Sequence, residues 1–488
     1  MYKKGFSVGA LIFLICTPVF GEQGCYSIVA GKGATADGSV LVGHNEDNAR
    51  MYAAGMWKVE RMNHQAGEWV VFTSGNRIPQ VKTTYGYWWL QMPECDYSDC
   101  FLNDYGVAVA SDNCPSREDK PELTNGGVGV PALRRLVAER SRTAREGVKL
   151  VGSLIDQFGY IARGGRTLVI CDPDEGWLVS MVNGKHWVAA RVPDNMVAVI
   201  ANTYTIREVD LADTLNYFGS SDLIAYAVQR GWHNPRNGPF SFEEAYGDPK
   251  VRISQGNTHR QWSGLRRLSA EPVPLPEDAR LPFAVKPKTQ LTVKHITDVL
   301  RDHYEDTPYE SAAGYENSPA HKRHTSTICS PGTNSSSVFQ LRSWMTVEVG
   351  AVWWLALWQP CSIPYVPLYT GMDEVPEQLG FDPEHTGNSP FQVISPAFGP
   401  AYQIFSDLSG WVDEDYAARI PLLKNQWQTL EETSIRIQPT FEKYILDKWN
   451  TEQSFAQEIL SRYSQGIIAR SVQKAREIMK DNEAVNSN

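Results

Sequence analysis

A cysteine at position 25 stands just behind a stretch that reads as a secretory leader. Lys3 and Lys4 form a basic start, and Phe6 to Phe20 is an apolar run of fifteen residues. That run is shorter than the roughly 20 residues a membrane span needs, and it suits a leader cut after Gly21. Removal of Glu22-Gln23-Gly24 as well would make Cys25 the first residue. A free α-amine titrates at about 7.7–8.0 and a thiol at about 8.5, so the amine can take the thiol proton near neutral pH. Nucleophile and base then belong to one residue, an arrangement suited to attack on a carbonyl. Such a site needs a carboxylate to orient the amine and donors for the developing oxyanion. A second chemistry competes for the same thiol. Cys25 could carry a lipid, although Glu22 sits three before it, where lipidation usually wants an apolar residue.

Of the eight cysteines, Cys16 leaves with the leader, and Cys95, Cys100, Cys114, Cys171, Cys329 and Cys361 remain beside Cys25. An exported chain can oxidise these, and sequence does not give the pairing; Cys95-x4-Cys100 is a plausible local bridge. With no C-x2-C and no H-E-x-x-H, no metal ligand is assigned. His321 and His324 lie three apart near Cys329, and this stretch is read as a solvated loop rather than a metal site.

The elements that must position Cys25 follow it directly. Tyr26 to Ala30 and Ser39 to Gly43 read as two strands around a glycine-rich turn, a hairpin beginning at the mature terminus. Further strands are expected at Trp69–Thr73, Gly106–Ser111, Thr167–Cys171, Gly176–Val182, His186–Val192 and Met196–Asn202. Helices are expected over Pro131–Ala144, Arg145–Phe158 and Thr292–His303, where apolar residues recur every three to four positions. Residues 271–290 are proline-rich and read as a surface connection. Arg323 to Trp358 reads as strand with a serine-rich turn at Ser335–Ser337, and Val352–Trp358 as a buried strand. Asp413 to Asp481 is amphipathic helix. Strands and helices without strict alternation favour an α+β fold.

Composition bounds the partners. Hydrophobic residues are 42% and charged residues 21% of 488, an ordinary globular balance. The net charge of −10 argues against nucleic acid or an anionic membrane as the main partner.

The stretch CYSIVAGKGATADGSVLVGHNEDN resembles the mature start of the N-terminal-nucleophile cysteine dipeptidases of family C69, relatives of penicillin V acylases and bile salt hydrolases. The family's Arg-Asn-x-Asp-like motif corresponds to His44-Asn45-Glu46-Asp47, with His44 where arginine is usual. The resemblance implies that Cys25 is the nucleophile and that Asp47 holds the terminal amine. In LNDYGVAVASDNCPS it implies an oxyanion role for Asn113, and in MVAVIANTYTI a second such role for Asn202. In GNTHRQWSGLRR it points to Arg260 as the site arginine, with Arg266 and Arg267 as alternatives. Each residue also has a plainer role: an acidic turn for Asp47, turn chemistry for the asparagines, a surface ion pair for the arginine. The segment from His321 to Gly371 resembles a dipeptidase-specific insertion absent from the smaller acylases.

What the resemblance implies is an N-terminal-nucleophile hydrolase, a four-layer αββα sandwich. It would comprise a signal peptide and propeptide over 1–24, a hydrolase domain over 25–410 and a helical extension over 411–488. The expected activity is an exported cysteine dipeptidase that acts on small peptides without metal or organic cofactor. The mature chain would have no membrane span; a homo-oligomer is left open. An N-acyl amide hydrolase of the same fold and a lipid-anchored envelope binding protein are the alternatives.

Overall fold

The computed structural model describes residues 24–47, 54–91, 98–162, 164–310, 321, 326–380 and 399–486. The hairpin at the start of the described chain forms strands Tyr26–Ala30 and Val40–Asp47, paired so that Ser27 faces His44 and Tyr26 faces Asn45. The second strand runs four residues beyond the expected Gly43, so the whole His44–Asp47 motif lies on it. The hairpin occupies the middle of a seven-stranded antiparallel sheet, flanked by Val197–Ile200 on one side and Thr333–Leu341 on the other. An eight-stranded antiparallel sheet, with Ala108–Asn113 and Arg166–Cys171 at its centre, stacks on the first. A hydrogen bond of 2.5 Å from the Ser27 hydroxyl to Asp112 crosses between them.

Helices cover both outer faces. Val130–Arg140 and Ala144–Phe158 lie on the eight-stranded sheet. Thr143 caps the second by accepting from the Glu146 N–H at 3.2 Å, and its stripe of Val148, Val151, Ile155 and Phe158 is buried. Gln255–Leu268 and Val293–Leu300 lie on the seven-stranded sheet, where Ile296 sits so close to Gly43 that a larger residue there would have to displace it. The result is the four-layer αββα sandwich.

Beyond it come three helices, Pro400–Glu414, Tyr416–Trp449 and Gln453–Asn486. The expected boundary at 411 therefore falls inside the first of them. Their buried residues, Phe405, Leu408, Val412, Leu423, Trp427 and Ile445 among them, join the same apolar core as the seven-stranded sheet. Among the described residues no helix is long and apolar enough to cross a membrane.

Two expectations need correction. Ser335–Ser337 is not a turn but the middle of strand Thr333–Leu341, paired on both sides. Small hydroxyl side chains suit this crowded position, because Ser336 Oγ reaches both Asn45 Oδ1 at 2.5 Å and Tyr365 Oη at 2.6 Å. Trp69–Val71 is a strand, but it pairs with Arg77–Pro79 in a separate two-stranded ribbon. The expected Cys95–Cys100 bridge rests on residue 95, outside the described residues.

Candidate active site

Strand alternation decides what surrounds Cys25. Cys25 and Ser27 point to one face of their strand, and the register sets His44 and Glu46 on the same face of the next. That face looks into the space between the sheets. Cys25 Sγ donates to Glu46 Oε2 at 3.1 Å, and the same oxygen lies 3.8 Å from His44 Nε2. His44 Nδ1 is 2.7 Å from Ser27 Oγ, which in turn donates to Asp112. A line of polar contacts thus runs from the thiol through Glu46, His44 and Ser27 to the facing sheet, all of it buried.

The opposite face of the hairpin carries Tyr26 and Asn45, and Asn45 is structural. Its amide donates to the carbonyls of Leu300 and Ile328 at 2.9 and 2.8 Å, tying the hairpin to the outer helix and to the 328 segment.

Asp47 lies at the end of the strand, opposite Thr333, beside an irregularity between Thr333 and Ser335. It accepts from Ser330 Oγ and Thr333 Oγ1, each at 2.6 Å. Burial pushes its carboxyl up to about 6, although the two hydroxyls and the charges of Arg260 and His44 work in the other direction.

Arg260 is fully enclosed, and every part of its guanidinium is used. Nη2 donates to Asn202 Oδ1 at 2.8 Å and to Asn257 Oδ1 at 3.0 Å. Nη1 donates to the carbonyls of Gly24 and, at 3.2 Å, Cys25. Asn257 and Arg260 are three apart on one helix, so they share a face. Asn202 follows its strand with φ 54°, the left-handed conformation that asparagine tolerates better than most residues. From there its amide donates to the Asn113 carbonyl at 2.9 Å. Gly24 is packed against this amide, and a Cβ there would overlap it.

The structure thus brings Cys25, His44, Asn202 and Arg260 together directly. Asn113 joins through its backbone, and Asp47 is joined by the charges of Arg260 and His44. Arg266 and Arg267 are elsewhere: Arg267 pairs with Asp302 and Glu305, and Arg266 lies over Trp262. Sequence reasoning missed Glu46, Ser27, Asp112 and Asn257. Hairpin register would have found Glu46, and helical spacing Asn257. Arg166 also went unnoticed. It donates to Ser111 Oγ at 3.0 Å, and its guanidinium is held above its usual range despite burial by Tyr160, Cys25 and Glu46. Nothing in strand periodicity marks it.

The expected solvated loop at His321 is also corrected. His321 is 6% exposed and faces His303, Cys329 and Cys361; His324 lies outside the described residues.

Two antiparallel sheets between helical layers, with a cysteine leading the central hairpin into the space between them, form the αββα fold of the N-terminal-nucleophile hydrolases. The model of Peptidase family C69 matches residues 24–392, and the chain belongs to that family of peptide hydrolases. A probable dipeptidase of Latilactobacillus sakei is 28% identical over 369 residues, covering 74% of this chain and 77% of the relative. Dipeptidase A of Lactobacillus helveticus is 22% identical over 421 residues, covering 82% and 87%. Among solved structures, a mutant of the conjugated bile acid hydrolase from Clostridium perfringens is 12% identical with a TM-score of 0.34, covering 70% of this chain and 92% of that one.

Proposed function

We propose that this chain is an exported cysteine dipeptidase whose nucleophile is the thiol of Cys25, exposed as the first residue once residues 1–24 are removed. The observation that carries the reading is the setting of Cys25. Its thiol meets Glu46, and the Gly24–Cys25 linkage lies under Arg260 and Asn202. The names of the relatives supply the dipeptide substrate class.

In this reading Sγ attacks the scissile carbonyl, and its proton passes to the α-amine of the same residue. Asp47 keeps that amine oriented as an ammonium. The Asn202 amide, aligned by the Asn113 carbonyl, stabilises the oxyanion, a role in which one donor contributes about 2.7–4 kcal/mol. The ammonium protonates the leaving amine, and water activated by the same amine hydrolyses the thioester. Glu46 holds the thiol in place, and His44 sits where its charge would meet Glu46 when protonated. Arg260 fixes Asn202 and the backbone at Cys25 rather than meeting solvent.

The test is hydrolysis by the mature protein and its Cys25→Ala variant, with dipeptides and N-acyl amides side by side. The expected result is dipeptide cleavage that Cys25→Ala abolishes while the circular dichroism stays native. Full activity in a folded Cys25→Ala protein would overturn the mechanism. Preference for the N-acyl amides would replace dipeptidase by acylase.

A further inference from the structure

Three segments outside the active site converge on one buried point. His303 follows the helix Val293–Leu300, His321 and Cys329 precede the strand Thr333–Leu341, and Cys361 follows the strand Ala351–Leu357. One ligand atom from each of the four lies within 4.8 Å of all the others, and all four residues are buried. The two Nε2 atoms are 3.3 Å apart. Cys361 Sγ and Cys329 Sγ stand 3.4 and 3.6 Å from His321 Nε2. A tetrahedral zinc ion, with Zn–N of about 2.0–2.1 Å and Zn–S of about 2.3 Å, sets its ligands about 3.4 Å apart for N to N and about 3.5 Å for N to S. The observed spacings are those of such a tetrahedron.

The groups behind the ligands point the same way. His321 Nδ1 is 2.8 Å from Asp413, and His303 Nδ1 is 3.3 Å from Glu305. An imidazole that donates its Nδ1 proton to a carboxylate presents a lone pair at Nε2. Two such lone pairs face each other and two sulfur atoms, away from water, and a cation between them would satisfy all four at once. Carboxylates behind metal-bound histidines are the usual means of fixing the tautomer and the ring. Two thiolates also neutralise a divalent ion, which suits a buried place.

We infer that His303, His321, Cys329 and Cys361 bind one Zn²⁺ as a closed structural site. Four protein ligands leave no open position, so the ion takes no part in the hydrolysis. Its effect is mechanical. Cys329 adjoins Ser330, which holds Asp47, while Asp413 belongs to the helix Pro400–Glu414. The ion fastens the first C-terminal helix to the turn that supports the active-site carboxylate.

The test is elemental analysis of the mature full-length protein, purified without chelators from zinc-supplemented medium. The expected result is one zinc per chain, lost in Cys329→Ser and in Cys361→Ser. Should those variants fail to fold, cobalt exchanged into the unaltered protein should show thiolate-to-metal charge transfer and tetrahedral ligand-field bands. Asp413→Asn should weaken zinc binding by about 10- to 100-fold in a chelator competition. Zinc-free protein with both thiols open to alkylation would overturn the inference. So would a Cys329–Cys361 disulfide in peptide mapping, another metal in place of zinc, or zinc retained in both cysteine variants.

Discussion

At the scale of single residues, the candidate active site gathers Cys25, Ser27, His44 and Glu46 on the inner face of one hairpin, with Arg260 and Asn202 at its start. Glu46 is the carboxylate bonded to the thiol, and Asp47, its neighbour in sequence, points elsewhere and is held by two hydroxyls. The two should therefore separate in kinetics. Glu46→Gln keeps the shape but removes the charge that orients the thiol, and should lower kcat/KM by about 10²-fold. Dipeptide hydrolysis and the rate of thiol alkylation check it; an unchanged rate on both would show that Glu46 is a bystander. Burial pushes the Asp47 carboxyl up to about 6 while Gly24 is attached, an ammonium beside it works the other way, and a neutral Asp47 cannot hold that ammonium. As the pH falls through the Asp47 titration, at or below about 6, kcat/KM should therefore drop by about tenfold per unit, and Asp47→Asn should remove that limb. An acid limb of the pH profile that is unchanged in Asp47→Asn would remove Asp47 from that role. Cys25 was legible in the sequence from its place behind the leader, and His44, Asn202 and Arg260 through the resemblance of their motifs, in order along the chain, to the family's. Glu46 was hidden because its significance lies in register, which depends on where the second strand ends. Arg166 was hidden because it reaches the site from the facing sheet.

At the scale of elements, the site depends on how closely the outer helix approaches the hairpin. Gly264, on the helix that carries Arg260, packs against the hydroxyl of Tyr26, and a Cβ there would overlap it. Gly264→Ala must push the helix outward and with it Arg260. Overpacking of this kind costs about 1–3 kcal/mol, and thermal unfolding together with kcat/KM should both report it. A variant with native stability and activity would show that the helix is free to shift. Ser336 supplies the matching test within the sheet. Ser336→Ala leaves the buried Asn45 and Tyr365 without their shared partner and should cost about 1–3 kcal/mol in denaturant unfolding. The main strands and helices were readable because alternation and three-to-four spacing persist over several residues in each. The Ser335–Ser337 segment was misread because serine is a turn former by local preference. Here pairing on both sides overrides that preference, and the hydroxyls find partners within the layers.

At the scale of the whole molecule, the C-terminal helices are part of the core rather than an appendage. Arg342, just beyond the strand Thr333–Leu341, forms a two-pronged pair with Glu442 of the long helix at 2.7 and 2.6 Å, with both side chains buried. Glu442→Ala would leave the guanidinium uncompensated and should cost about 3–5 kcal/mol, read as a large fall in thermal midpoint. A small change would mean that water reaches Arg342. The amphipathic tail announced these helices, but their docking partners were not readable, because apolar periodicity tells which face is buried and not against what. In the proposed function, activity at this scale rests on a single event at the other end of the chain, the exposure of Cys25. Intact mass and N-terminal sequencing of the protein expressed with residues 1–24 in place test it most directly. A chain beginning with unmodified Cys25 is the predicted result, since it alone provides the free amine and thiol together. A chain that is active while still beginning at Glu22, or one carrying a lipid on Cys25, would contradict it.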